Sequence, residues 1–310
     1  MKKIHPYILL FILITTVSCE RDATIDIKGG EQKPVVYGWI EPGMPPVVIL
    51  TQSKPYFGTT NFSELSDLFI HNANVTVATD NYTAPLSEIC SQNVSPSLLP
   101  VIAEYLGVDS ATLSQVNYCV YTTFDSNIFG QTGKKYFLNI SFDSYNLSSE
   151  TEIPQPVALD SVWFKVQPPA TNLGFIWATL SDPPASGNCY RWFAKREGKD
   201  FSFIAPMGSA FEDKFINGTT FNFAFNRGDD DFATTPEPPE ERGYFKIGDT
   251  VIVKFCSIDA AHYQFWRTFE IQVSNNGNPF AAPAPVKSNI NGGLGIWGGY
   301  GPAYDTVVCQ

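Results

Sequence analysis

Lys135-Tyr136-Phe137-Leu138-Asn139-Ile140 decides the fold class. Tyr136, Leu138 and Ile140 alternate with Phe137 and Asn139, so one face can be buried while the other stays mixed, the period of a half-buried strand. Working outward, runs of the same kind recur at Pro34-Val35-Val36-Tyr37-Gly38-Trp39-Ile40, Val47-Val48-Ile49-Leu50 and Asn74-Val75-Thr76-Val77-Ala78. They recur again at residues 161–166, 173–180, 189–194 and 250–256, with a Phe-rich stretch over 201–225. Turn residues separate the runs. Aromatic content is high at 14%, charge is modest at 16%, and 23 glycines and 23 prolines are scattered as punctuation. That composition belongs to an all-β chain with many turns.

A seam falls at Glu152-Ile153-Pro154-Gln155-Pro156, where proline on both sides of a glutamine suits a stiff, extended connector. The expected architecture is two tandem β-sandwiches of immunoglobulin or fibronectin III type, over residues 34–152 and 157–310. Two helical segments interrupt them. Between Cys90 and Cys119, Leu98, Ile102, Tyr105 and Leu106 form one apolar stripe, and Asp109 can cap a second short helix before Leu113 and Val116, giving an insert over 90–119 in the first sandwich. In the second, Asp259 is placed to cap a helix over 260–273 that lays His262, Trp266, Phe269 and Val273 on the sheet.

The N-terminus carries Met1-Lys2-Lys3, an apolar run over residues 7–13, and Thr15-Thr16-Val17-Ser18-Cys19. Two lysines ahead of a short apolar run are the parts of an export signal. The run is too short to span a bilayer, which needs about twenty apolar residues. A cysteine directly after the small residue Ser18 marks a lipoprotein signal over 1–18, with Cys19 as the lipidated first residue of a linker over 19–33. Cleavage would remove Lys2 and Lys3, leaving 18 basic against 31 acidic residues and a net charge of −13. Such a chain is repelled by nucleic acid and has no polybasic grip on anionic lipid, so acyl chains would hold it to the membrane.

Setting Cys19 aside leaves Cys90, Cys119, Cys189, Cys256 and Cys309. In an exported protein, a Cys90–Cys119 disulfide would staple the base of the helical insert. Cys189 opens one strand and Cys256 closes another, so antiparallel neighbours would bring them together, with Cys309 competing and one thiol left free. There is no Cys-x-x-Cys and no histidine at ligand spacing from a cysteine, so no metal site is expected.

No catalytic residue and no cofactor is assigned, and the chain is read as non-enzymatic. After cleavage only His71 and His262 remain, one just before a strand and the other on the helical stripe. His-Glu-x-x-His, Gly-x-Ser-x-Gly and Walker patterns do not occur. Gly293-Leu294-Gly295-Ile296-Trp297-Gly298 matches Gly-x-Gly-x-x-Gly, yet no helix or acidic ribose ligand follows it before the chain ends. It is read as a glycine-rich strand or bulge that lets Trp297 and Tyr300 lie against backbone. The acidic stretch Gly228-Asp229-Asp230-Asp231-Phe232 is read as a solvated loop.

Ordered motifs run the length of the chain: the lipobox, residues 33–40, Thr51-Gln52-Ser53-Lys54-Pro55-Tyr56-Phe57, and residues 133–138. They continue with Asp182-Pro183-Pro184 before Asn188-Cys189-Tyr190-Arg191-Trp192, then Gly248-Asp249-Thr250-Val251 and Ser257-Ile258-Asp259 before Tyr263-Gln264-Phe265-Trp266, ending at residues 289–295. Together they resemble a family of Bacteroidota lipoproteins of unknown function, domain of unknown function 4249, commonly encoded beside TonB-dependent outer-membrane receptors. The resemblance implies an outer-membrane accessory lipoprotein, partner to such a receptor in nutrient capture, with Tyr56, Phe57, Trp297, Tyr300 and Tyr304 as a stacking or docking surface. A surface structural or adhesive lipoprotein is the alternative. Glu20-Arg21-Asp22 resembles the acidic signal that sends such lipoproteins to the cell surface. Asp109-Ser110-Ala111 resembles the O-glycosylation motif of the same bacteria, making Ser110 the candidate acceptor.

Overall fold

The computed structural model describes residues 31–54, 65–229, 238–275 and 285–310. Cys19, Tyr56, Phe57 and most of the acidic loop at 228–232 lie outside the described residues. The chain is predominantly β with several sheets. Its first part comprises β1 (Pro34–Ile40), β2 (Val47–Gln52), β3 (Asn74–Ala78), β4 (Thr83–Cys90), helices α1 (Leu99–Leu106) and α2 (Ser110–Gln115), β5 (Cys119–Thr122), β6 (Lys135–Phe142) and β7 (Tyr145–Glu152). There follow β8 (Ser161–Val166), β9 (Leu173–Ser181), β10 (Cys189–Arg196), β11 (Ala210–Glu212), β12 (Thr220–Phe225), β13 (Phe245–Lys246) and β14 (Thr250–Ile258). Helix α3 (Ala260–Ser274), β15 (Leu294–Gly299) and β16 (Gly301–Val308) complete it.

The alternation in β6 is realised: Tyr136, Leu138 and Ile140 are buried while Phe137 and Asn139 are not. Eight strands form one sheet in the order β15-β1-β2-β5-β4-β3-β6-β7. Its two ends meet, since Ser148 of β7 bridges to Asn291 just ahead of β15 and the Gly299 amide donates to Thr151 Oγ1 at 2.8 Å. The sheet therefore curls round a single core that includes Val36, Val48, Val77, Leu138, Leu147 and Trp297.

β15 crosses the expected division between 34–152 and 157–310. It runs parallel to β1, pairing Val35 with Leu294 through Ile40 with Gly299, and parallel neighbours require a long crossover, here nearly the whole chain. The glycine-rich stretch is the strand itself. Gly295 has φ +107° and any Cβ there would lie 1.8 Å from the Val36 carbonyl oxygen, so only glycine lets the two backbones pair at this point.

The remaining strands form a four-stranded sheet in the order β11-β10-β14-β16 and another in which β9 is flanked by β8, β12 and β13. Ile176, Ala178 and Leu180 of β9 share one core with Tyr190, Trp192 and Ala194 of β10 and Val251, Val253 and Phe255 of β14. From Phe255 onward β14 is buried on both faces, because Cys256 and Ile258 pack into a further cluster with Trp39, Val47, Ile49 and Tyr263.

Both helical segments form, with shifted faces. Asp109 accepts from the Ala111 and Thr112 amides, and Asp259 accepts from the His262 amide at 2.8 Å, each the cap expected of a short acidic side chain. In the insert Ala103, Val108 and Leu113 are buried, whereas Leu98 is exposed. In α3 the buried residues are His262, Tyr263 and Phe265, while Phe269 and Val273 are exposed. The predicted stripe runs the full helix, yet only the N-terminal half is docked.

Candidate functional site

The aromatic residues expected at the surface separate into two groups. Trp297 is 0% exposed; its indole fills the first core, with Nε1 donating to the Tyr136 carbonyl at 3.1 Å. Tyr300 is buried as well, its ring centroid 4.5 Å from that of His262. Neither can stack on a ligand at the surface, because Trp297 is packed inside the curled sheet and Tyr300 in the cluster with Trp39, Cys256 and Tyr263. Tyr304 is 55% exposed. It stands opposite Lys254 in the β14–β16 register and 6.1 Å from the Phe203 ring, so it alone of the three keeps an accessible face.

Two strands away in the same sheet, on β10, lies a buried cation. Arg191 of β10 is 6% exposed, with its guanidinium 3.4 Å from the Trp266 ring centroid and 4.8 Å from that of Phe193. Nη1 donates to Tyr300 Oη at 2.8 Å, while Nε has no hydrogen-bond partner among the described residues. A desolvated guanidinium on an indole face is worth about 2 kcal/mol. It ties α3 to the sheet. His262 sits in the same cluster, its Nδ1 3.4 Å from the Gly299 carbonyl oxygen. Because that oxygen can only accept, Nδ1 carries the proton. Burial pulls the His262 pKa down to about 4, aided by Arg191 and opposed by Asp259. Arg191 is the one charge in the run Cys189-Tyr190-Arg191-Trp192-Phe193-Ala194, the local signal of a buried cation.

The accessible concavity is elsewhere. A groove of about 570 Å³ runs over the outer face of β6 and β7, lined by Lys135, Asn139, Glu150, Asp259, Asn289 and Asn291 among others. A second of about 290 Å³ shares Asn139 and Ser148 with it and extends along β3. Its walls are positioned tightly. Asp259 caps α3 and also accepts from Thr151 Oγ1 at 2.6 Å, and Asn289 both donates to the Trp297 carbonyl at 2.7 Å and accepts from the Trp297 amide at 2.9 Å. Amides, hydroxyls and carboxylates converging on one sheet face make a hydrogen-bonding surface suited to a polar ligand.

The cysteines divide as the register dictates. Cys90 and Cys119 stand directly opposite each other in β4 and β5 and form a disulfide. Cys189, Cys256 and Cys309 are free and buried. The expected Cys189–Cys256 bridge does not form because Cys189 faces Ile258 and Cys256 faces Arg191, an offset of two residues. Burial pushes all three thiols up to about 12. Ser110 is the first residue of α2, half-buried behind the Asp109 cap. Contrary to the reading from spacing, a histidine does approach the cysteines: one ligand atom each from His71, Glu88, Cys90 and Cys119 lies within 4.8 Å of all the others. The sequence separations involved are too long for any local motif to reveal.

A family model described as domain of unknown function (DUF4249) matches residues 20–304. The chain belongs to this family. The DUF4249 match takes in the curled sheet, the helical insert, both four-stranded sheets and α3, and ends inside β16 at Tyr304. A search of curated proteins found no match.

Proposed function

We propose that this chain is a lipid-anchored, non-enzymatic binding protein of the outer membrane, acting as accessory partner to a TonB-dependent transporter in nutrient capture. The observation that carries the binding role is the polar groove over β6 and β7, whose lining residues Asp259 and Asn289 are fixed by hydrogen bonds to Thr151 and Trp297. Cys19 and its lipobox supply the tether. The resemblance of the ordered motifs to lipoproteins encoded beside TonB-dependent receptors supplies the partner class. Two β-sandwich units, the second fibronectin III-like, complete the proposal, with β15 lent by the second to the first. Tyr304 beside Phe203 is the aromatic face left for docking.

Affinity isolation of the tagged chain from detergent-solubilised outer membranes tests the partnership. Recovery of a β-barrel receptor at near-equal stoichiometry is expected; its absence defeats the transporter reading. A deletion strain that keeps adhesion but loses growth on one nutrient supports this role over the adhesive one. Palmitate labelling lost in Cys19→Ala checks the anchor, and protease shaving of intact cells decides which face of the membrane the chain occupies.

A further inference from the structure

We propose that His71, Glu88, Cys90 and Cys119 form a divalent-metal site that the disulfide closes and its reduction opens. The argument starts from β4. Glu88 and Cys90 are two residues apart in this strand and so share a face, and Cys119 stands directly opposite Cys90. His71, from the segment ahead of β3, brings Nδ1 onto the Glu88 carboxylate. Cys90 Sγ lies 3.6 Å from the same Glu88 oxygen. Four donors of three kinds therefore converge, each within 4.8 Å of the others.

Zinc takes thiolate sulfur at about 2.3 Å and imidazole or carboxylate at about 2.0–2.2 Å in a tetrahedron, so its ligand atoms stand roughly 3–4 Å apart. The two sulfurs, bonded to each other in the oxidised chain, must separate on reduction to reach that spacing. Two sulfurs, one nitrogen and one oxygen are a donor set for zinc and its congeners, and not for calcium or magnesium. The second Glu88 oxygen accepts from the Asn72 amide at 3.0 Å, which orients the carboxylate as outer-shell bonds do at built metal sites. The His71 side chain is 42% exposed, which opens a path for the ion. Among the described residues, Cys189, Cys256 and Cys309 stand in no comparable cluster of ligand atoms.

The chemistry balances with a dithiol as reductant. It gives two electrons and two protons to the Cys90–Cys119 bond and becomes a disulfide itself. Two thiols form, and metal binding then expels both protons as the thiolates bond to the ion. A metal cross-link thus replaces the covalent staple at the base of the 90–119 insert, so the insert stays closed in either redox state.

The test uses the full chain purified in detergent, reduced with a dithiol, freed of reductant without oxygen and titrated with cobalt(II). One cobalt per chain is expected, with tetrahedral visible bands and thiolate charge-transfer absorption, displaced by zinc and absent before reduction. His71→Ala and Glu88→Gln keep the disulfide when oxidised, so their fold is checked in that state first. Each should then weaken binding by more than the roughly 10- to 100-fold that loss of an outer-shell partner costs. Cobalt binding without thiolate absorption, equal affinity in the Cys90→Ser/Cys119→Ser chain, or unchanged affinity in both single variants overturns the proposal.

Discussion

Replacing Gly298 by alanine isolates one contact between the parallel strand and α3. A Cβ at this position would stand 2.4 Å from His262 Cε1, 2.5 Å from Nδ1 and 2.6 Å from Nε2, where ordinary contact needs about 3.5 Å or more. The ring must retreat by about 1 Å. It cannot do so freely, because His262 is buried and the Tyr300 ring centroid lies 4.5 Å from its own. Overpacking of this kind costs about 1–3 kcal/mol, offset by the 0.4–1 kcal/mol or so that alanine gains through a less flexible unfolded chain. Urea unfolding of Gly298→Ala, His262→Ala and the double variant forms a cycle. A coupling of about 1–2 kcal/mol is expected, since deleting the ring removes the obstacle. Gly295→Ala serves as the contrast: there the obstacle is the Val36 carbonyl and φ is +107°, so its cost persists in the His262→Ala background. An equal cost of Gly298→Ala in the parent and His262→Ala backgrounds, with no coupling beyond about 0.5 kcal/mol, refutes the packing described for β15.

Two further outcomes follow from the same structure. Cys90→Ser/Cys119→Ser should lower unfolding free energy by about 3–4 kcal/mol in the chain-entropy account, the two cysteines being 29 residues apart; denaturant midpoints measured with and without reductant check it. His262 titrates near 4 when folded and near 6.5 when unfolded, so between those values the unfolded chain binds more protons and stability falls as pH drops. The loss from this residue should reach about 3 kcal/mol by pH 4, and a His262→Gln chain should lack that slope in unfolding measured from pH 7 to pH 4.

Much of the scaffold was legible because its signals are local. Alternation in β6, the Asp109 and Asp259 caps and the small residues of Gly293–Gly298 each act within a few positions, and each appears where the spacing put it. The Cys90–Cys119 staple was legible too, since it closes a helical insert whose ends must meet. Trp297 and Tyr300 do lie against backbone as the glycine-rich reading has it, but not on a docking surface, because an aromatic residue among glycines looks the same whether its neighbours open to solvent or to another strand. Arg191 and His71 were missed for a related reason: their partners Trp266 and Glu88 lie on other elements.

What the sequence determined alone is the β character of the chain, its helical interruptions and its acidic balance, all of which follow from composition and from periods of two and 3.6 residues. Only the tertiary structure decided that β15 returns to pair with β1, that the aromatic glycine-rich strand is core, and that a histidine and a glutamate stand over the disulfide. Periodicity says which residues share a face; it does not say which face, brought from hundreds of residues away, will cover it.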